Sequence, residues 1–151
     1  DRHIANKKVI WRLEGYSDDT LSKIGLRDTE HNLIKPERTY RIALLGDSAV
    51  ESLQVSLDET FGKVLETLLN EQAQKIANNK IADRTISQFE VINFGCSSYS
   101  TGQELLQYEQ QVDNYNPDAV VLLYNRGDSL ENVVKAKDRK RAEARPLFFC
   151  K

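Results

Sequence analysis

The sequence predicts an α/β domain in which a parallel sheet lies between two layers of helices. Three short apolar runs, each about as long as a strand, recur along the chain. Amphipathic helical patterns occupy the intervals between these runs. Strands that alternate with helices form parallel β-α-β units, because each crossover helix returns the chain to the same end of the sheet. The pattern therefore predicts a three-layer domain.

The composition is that of an ordinary globular protein. The 151 residues are 40% hydrophobic and 29% charged, with a net charge of -2. This near-balance excludes a nucleic-acid binder that depends on bulk positive charge, though not one that uses a local patch. No nucleic-acid partner is expected. No apolar run approaches the ~20 residues that span a bilayer. Cys96 and Cys150 lie in apolar contexts that favour buried free thiols, although a single disulfide between them is compatible with the sequence.

The chain divides into an N-terminal arm and a patterned domain. Residues 1–38 are polar and irregular, with scattered apolar anchors, and are expected to pack as an arm on the domain at residues 39–151. The first predicted strand, residues 41–45, is a short run that ends at Gly46. A continuous run of this length is typical of a strand that is buried on both faces.

The first predicted helix follows Ser56, which has capping-box spacing to Glu59. Its expected inward face repeats at i, i+3, i+4, i+7 and i+8: Phe61, Val64, Leu65, Leu68 and Leu69. Residues 89–94 form the second predicted strand.

A second capping box at residues 101–104 predicts the next helix, which ends before Pro117. Its residues expected to face inward are Leu105, Tyr108 and Val112. Residues 119–124 form the third strand, followed by a predicted helix over about residues 129–144 and the beginning of a strand at residues 146–151.

Small, polar, hydroxyl-rich turns follow the three predicted strands: Gly46-Asp47-Ser48, Gly95-Cys96-Ser97-Ser98 and Asn125-Arg126-Gly127-Asp128-Ser129. Ligands of open parallel sheets bind beyond the carboxyl ends of the strands. A serine at a strand-to-helix turn can present its oxygen to a substrate, and nearby backbone N–H groups can face a developing oxyanion. The same residue types are also common turn formers, so composition alone leaves both interpretations open.

The order of these turns resembles the sequence blocks of the SGNH (GDSL-type) hydrolases. Residues 41–48 and their continuation to residue 66 resemble block I, residues 91–100 the second block, and residues 117–124 the strand that leads to the third. Upstream, Gly25-Leu26-Arg27-Asp28-x-Glu30 is similar to a segment that precedes block I in one bacterial branch. The resemblance extends over residues 25–149 and implies a flavodoxin-like strand order and acyl-ester hydrolysis with no cofactor and no metal.

The resemblance also assigns roles to individual residues. It implies that Ser48 is the nucleophile and that its backbone N–H is one oxyanion donor. The second donor is then the backbone N–H of Ser98 or Gly95, and Asn125 is a candidate third donor. Asp47 and Asp128 are further candidates for the site. The implied substrate is a small-molecule, carbohydrate or lipid ester.

The chain departs from the family pattern at three points. The family base is a His in a C-terminal Asp-x-x-His block, which is expected to lie beyond Lys151, so that the domain is incomplete at that end. The two histidines, His3 and His31, precede block I, and His31 is expected at the surface. The second-block glycine aligns with Ser98. The third-block Asn aligns with Asp128 or with Gly127, neither of which carries an amide side chain.

These departures leave two functions open. One is a serine hydrolase of the esterase, lipase or deacetylase type. The other is a non-catalytic SGNH-like binding or structural subunit with a degenerate oxyanion hole, because the loss of one oxyanion donor costs about 2.7–4 kcal/mol. The bacterial branch often follows a membrane anchor, so the resemblance suggests an anchor outside this chain and an extracytoplasmic location. The sequence leaves the oligomeric state open.

Overall fold

The computed structural model describes residues 3–6, 10–13, 21–78 and 86–127. These residues form, in chain order, β1 (His3–Asn6), β2 (Ile10–Leu13), β3 (Thr39–Gly46), α1 (Ser48–Glu51), α2 (Phe61–Asn78), β4 (Gln88–Asn93), α3 (Thr101–Gln110) and β5 (Ala119–Leu123). Short 3-10 helices lie at Leu57–Glu59 and Val112–Tyr115. β1 and β2 pair antiparallel, so the N-terminal segment that was expected to be irregular contains a hairpin.

The predicted α/β fold with a parallel sheet is confirmed. β3 lies in the centre and pairs in parallel with β4 on one side and β5 on the other. Counted along the chain, the order of the parallel strands is 2-1-3, with which the flavodoxin-like order also begins. This order brings the turns after all three strands to one edge of the sheet.

Helices and loops cover the two faces of β3, because successive side chains of a strand point to opposite sides. On one face, Ala43 and Leu45 share a buried cluster with Leu26, Ile92, Phe94, Val112 and Tyr115. On the other face, Ile42 and Leu44 pack with Val50 and Val91, and with Leu65 and Leu69 of α2. The sheet is therefore the middle of three layers, as the pattern predicts.

The inward face of α2 is only partly as predicted, because the helix is rotated about its axis relative to the prediction. Leu65 and Leu69 pack toward the sheet, but Phe61, Val64 and Leu68 are 40%, 45% and 52% exposed. Gly62 permits this rotation, because the helix lies so close to the sheet there that a Cβ would be only 3.0 Å from Leu44 Cδ1. The side of the helix that carries this glycine therefore approaches the sheet most closely.

α3 begins one residue earlier than predicted, and its inward residues are confirmed in part: Tyr108 and Val112 pack in the core cluster of Ala43 and Leu45. Ser100 is the N-cap, with extended backbone, and Gln103 Oε1 accepts a hydrogen bond from Ser100 N at 3.4 Å. Leu105 is 53% exposed, contrary to the prediction, while Gln103 is buried. Leu106 instead packs on the cluster of Cys96 and Tyr99, which turns the Gln103 side of the helix inward.

β5 is an edge strand in the part of the chain that the structure describes. Its residues 120–123 are 42–46% exposed, whereas those of β3 are almost all buried. The helix and strand predicted after residue 128, together with Asp128 and Cys150, lie outside the described residues. Among the helices that are described, none has both the length and the apolar character needed to cross a membrane.

Candidate active site

The three polar turns adjoin at the carboxyl edge of the sheet. The register aligns Gly46 at the end of β3 with Leu123 at the end of β5. Beyond the end of β4, Cys96 N donates to Gly46 O at 3.1 Å. The hydrogen bonding between β3 and β4 therefore continues into the turns that follow them. The edge therefore brings together the block I turn and the turns that follow β4 and β5.

Ser48 is the first residue of α1 and is exposed. The preceding residue, Asp47, is the N-cap, and its side chain accepts a hydrogen bond from Ala49 N at 2.9 Å. Gly46 permits this sharp entry, because a Cβ on it would lie 2.3 Å from Val50 Cγ2. The strand thus passes directly into the helix and leaves Ser48 at the edge.

A hydrogen bond connects the first and third turns. Asn125 Nδ2 donates to Asp47 Oδ2 at 3.0 Å, and Asn125 Oδ1 accepts from Gly127 N at 3.0 Å. Asp47 and Asn125, both singled out from the sequence, are therefore brought together. The Asn125 amide has one hydrogen committed to Asp47, so its orientation depends on that carboxylate.

The turn after β4 is built around Asn93, which is buried. Its Oδ1 accepts from Gly95 N at 2.9 Å, and its Nδ2 donates to Val50 O at 2.9 Å. Gly95 itself lies directly against α1, since a Cβ there would be 2.3 Å from Glu51 N. The backbone N–H of Gly95 is thus occupied inside the protein.

Ser98 differs from Gly95 in both conformation and exposure. It is exposed and has φ of 65°, in the left-handed region that favours glycine. Its backbone N–H has no acceptor within the residues that the structure describes, and the same holds for the backbone N–H of Ser48. Of the two candidates in this turn, the geometry leaves the N–H of Ser98 available to a ligand.

Three charged residues support these turns: Arg27 and Asp28, which the sequence places in the segment upstream of block I without a role at the site, and Glu51, which no motif includes. Arg27 donates from its guanidinium to Glu51 O at 3.1 Å and also to the carbonyls of Ser52 and Val55. Glu51, which is fully buried, accepts from Ser97 N at 2.8 Å. The remaining residue, Asp28, accepts from Asn93 N at 2.8 Å. A charged residue between small and apolar neighbours, as at Glu51, is the sequence signal for such a role.

Asp28 is the centre of a buried ion-pair group. Its side chain is 0% exposed, with Lys63 Nζ at 2.6 Å and His31 Nε2 at 3.1 Å from its oxygens. Burial raises the pKa of Asp28, but the hydrogen bond from His31 and the charge of Lys63 outweigh it and hold the pKa below 3.8. The His31 side chain is only 9% exposed, so the expectation of a surface histidine is wrong. Its Nε2 meets Asp28 and not Ser48.

Cys96 is buried and free. Burial and the charge of Glu51 raise the pKa of the Cys96 thiol to about 12. Because the thiolate is the nucleophilic form of cysteine, Cys96 is a packing residue at neutral pH. Within the described residues, no cluster of His, Cys, Asp and Glu could hold a metal ion.

The comparisons with known proteins identify similar structures but no matching sequence family. No protein-family model matches the chain, and no curated protein matches it. Among solved structures, AlinE4, described as an SGNH-hydrolase family esterase, is 20% identical over 73% of this chain and 52% of its own, with a TM-score of 0.48. A structure of TesA is 17% identical over 69% of this chain and 51% of its own, with a TM-score of 0.42. The chain thus spans about half the length of these proteins.

Proposed function

We propose that this chain carries the nucleophile and the oxyanion-binding turns of an SGNH-type hydrolase that acts on an acyl ester. The observation that carries the proposal is the hydrogen bond from Asn125 Nδ2 to Asp47 Oδ2 at 3.0 Å. It joins the turn beside Ser48 to the turn after β5, at the edge where parallel sheets bind ligands. These turns are also the segments in which the sequence resembles the SGNH hydrolases.

In the proposed reaction, Ser48 Oγ attacks the acyl carbonyl carbon while its proton passes to a general base. The carbonyl oxygen becomes an oxyanion that accepts hydrogen bonds from the backbone N–H groups of Ser48 and Ser98. The ester C–O bond then breaks, and the alcohol leaves with the proton from the base. Water attacks the acyl-serine, releases the carboxylic acid and restores Ser48.

The second oxyanion donor is proposed to be Ser98 rather than Gly95. The Gly95 N–H already donates to Asn93 Oδ1 at 2.9 Å in a buried position, whereas Ser98 is exposed. Moving the Gly95 N–H toward a ligand would break that bond and leave a buried acceptor unpaired, which costs about 1–3 kcal/mol. Asn125 is proposed as the third donor, held by Asp47.

The general base is proposed to be a histidine outside the described residues. Among those residues, the one histidine whose side chain is described is His31, and its Nε2 is engaged by the buried Asp28 at 3.1 Å. Turning His31 toward Ser48 would take a hydrogen-bond partner from a buried carboxylate, so His31 is a poor candidate to serve Ser48.

A serine-directed fluorophosphonate tests the proposal on the purified protein. One adduct that maps to Ser48 by mass spectrometry, and that disappears in Ser48→Ala, is the expected result. Ser87→Ala is the matched control, because Ser87 is an exposed serine at the opposite end of β4. An adduct at Ser87, or labelling that survives Ser48→Ala, would contradict the assignment.

A non-catalytic binding subunit is the second candidate function. The observation that favours it is in the sequence of the third turn, where neither of the two residues that align with the family's oxyanion-binding Asn, Gly127 and Asp128, carries an amide side chain. A folded protein that takes no adduct at Ser48 but binds an acyl ester, as followed by chemical shifts of the Ser48 and Ser98 amides, would support this alternative.

A further inference from the structure

We propose that Glu51 is a positioning residue for the oxyanion turn at residues 95–98 and that its carboxylate determines where the Ser98 N–H points. The inference rests on the proposed function, since it concerns a donor of the same site. It extends that function by assigning a role to a buried acid that lies three residues after the proposed nucleophile.

The contacts of Glu51 are directed at this turn. The residue is 0% exposed, and Oε2 accepts hydrogen bonds from both the backbone N–H and the hydroxyl of Ser97. Oε1 is buried and has no hydrogen-bond partner in the described part of the chain. One carboxylate oxygen of Glu51 thus accepts hydrogen bonds from both the backbone N–H and the hydroxyl of Ser97, the residue just before Ser98.

The backbone of Glu51 is held in place independently of its side chain. Arg27 donates to Glu51 O at 3.1 Å, and Gly95 lies so close that a Cβ there would be 2.3 Å from Glu51 N. Because the side chain is also fully buried, its carboxylate has little room to change position on this fixed backbone. It can therefore impose that position on the turn which it binds.

Packing alone does not account for an acid at this place. Burying a carboxylate costs free energy, and an apolar residue of similar volume is often as stable or more stable at a buried ionic position. What an apolar residue could not supply is an acceptor for Ser97. That acceptor lies where the chain enters the left-handed conformation of Ser98, which has φ of 65°. Fixing Ser97 therefore fixes the peptide group that carries the Ser98 N–H.

The test compares two substitutions that keep the side-chain volume. Glu51→Met removes the acceptor, whereas Glu51→Gln keeps one acceptor oxygen and removes the charge. Glu66→Met is the matched control, because Glu66 Oε2 also accepts a backbone N–H of β4, from Val91 at 2.6 Å, away from the turn. The readouts are the rate of fluorophosphonate labelling at Ser48, amide exchange at Ser97 and the chemical shift of the Ser98 amide.

Glu51→Met should lower the labelling rate by about 10²-fold, the size of effect expected when a reacting group is misplaced by about 1 Å. It should also speed exchange of the Ser97 amide and shift the Ser98 amide. Glu51→Gln should restore most of the rate, and Glu66→Met should leave both the rate and the two amides unchanged, whatever its effect on stability.

The two proposals can fail separately. If the wild-type protein takes no adduct at Ser48, the proposed function fails, while the two amide signals still decide the role of Glu51. Wild-type behaviour of the Ser97 and Ser98 amides in Glu51→Met would overturn the positioning role. Unfolding of both Glu51 variants would also overturn it, because the residue would then serve general stability.

Discussion

Gly95 and Glu51 touch backbone to backbone: a Cβ on Gly95 would lie 2.3 Å from Glu51 N and 2.6 Å from the carbonyl carbon of Val50. The turn after β4 therefore rests directly on α1, which carries Ser48 at its start. Any side chain at position 95 would push these two segments apart, because the atoms it meets belong to the backbone and cannot rotate away.

Gly95→Ala should lower the free energy of unfolding by about 1–3 kcal/mol, the usual cost of overpacking. Urea unfolding followed by circular dichroism measures the change. Gly127→Ala is the control, since among the described residues a Cβ there would meet Asn125 Oδ1 alone, at 3.7 Å. Equal stability of Gly95→Ala and the wild-type protein would show that the turn does not lie against α1 as described.

Ser98→Gly should raise the free energy of unfolding by up to about 1 kcal/mol, because glycine adopts a positive φ without the steric penalty of a Cβ. The backbone N–H is retained, so labelling at Ser48 should be at least as fast as in the wild-type protein. Ser87→Gly, at a position without positive φ, should not stabilise the protein. A loss of stability in Ser98→Gly would argue against the left-handed conformation of Ser98.

Asp28→Asn should lower the free energy of unfolding by about 3–5 kcal/mol at neutral pH, because Lys63 loses its buried counter-charge and His31 loses the carboxylate oxygen that it contacts. Thermal and urea unfolding measure the loss. Asp113→Asn changes an exposed carboxylate and should have an effect within about 0.5 kcal/mol. A loss of similar size in both variants would contradict the central role of Asp28.

The stabilisation by Asp28 should also depend on pH. The pKa of Asp28 is lowered in the folded protein from its ordinary value of 3.8. At a pH between the folded pKa and 3.8, the carboxylate is therefore mostly ionised in the folded chain and mostly protonated in the unfolded chain. Its contribution is present above pH 3.8 and is lost as the pH falls through the folded pKa. The difference in free energy of unfolding between wild type and Asp28→Asn should therefore decrease as the pH falls below 3.8. Above that pH, the ionisation of Asp28 should not change the difference.

Cys96 should resist alkylation by iodoacetamide at about pH 8 in the native protein and react after unfolding, because burial keeps it as a thiol. A Cys150→Ser background isolates the reaction, which peptide mass spectrometry follows. The pKa of Cys96 rises from 9.0 to about 12 on folding, so its contribution to stability should decline as the pH rises between these values. Rapid native alkylation would contradict the burial of this thiol.

The sequence by itself determined the order of the three parallel strands and of α2 and α3, and the placement of the polar turns, but not the β1–β2 hairpin or α1. These features depend on local patterns: an apolar run of strand length, an amphipathic repeat, or a small polar turn after a strand. The family resemblance singled out Asp47 and Asn125 at the ends of different strands. The strand order then made these ends neighbours.

The tertiary structure alone decided which side of each helix is buried and which charged residues support the turns. α2 is rotated from its predicted face because a single glycine, Gly62, permits the close approach to Leu44. Arg27 lies 24 residues before Glu51, and Asp28 lies 65 residues before its partner Asn93. The periodicity of the sequence reports local structure and cannot predict which residues so far apart along the chain become partners. Burial of a charge is favourable only once folding has supplied those partners.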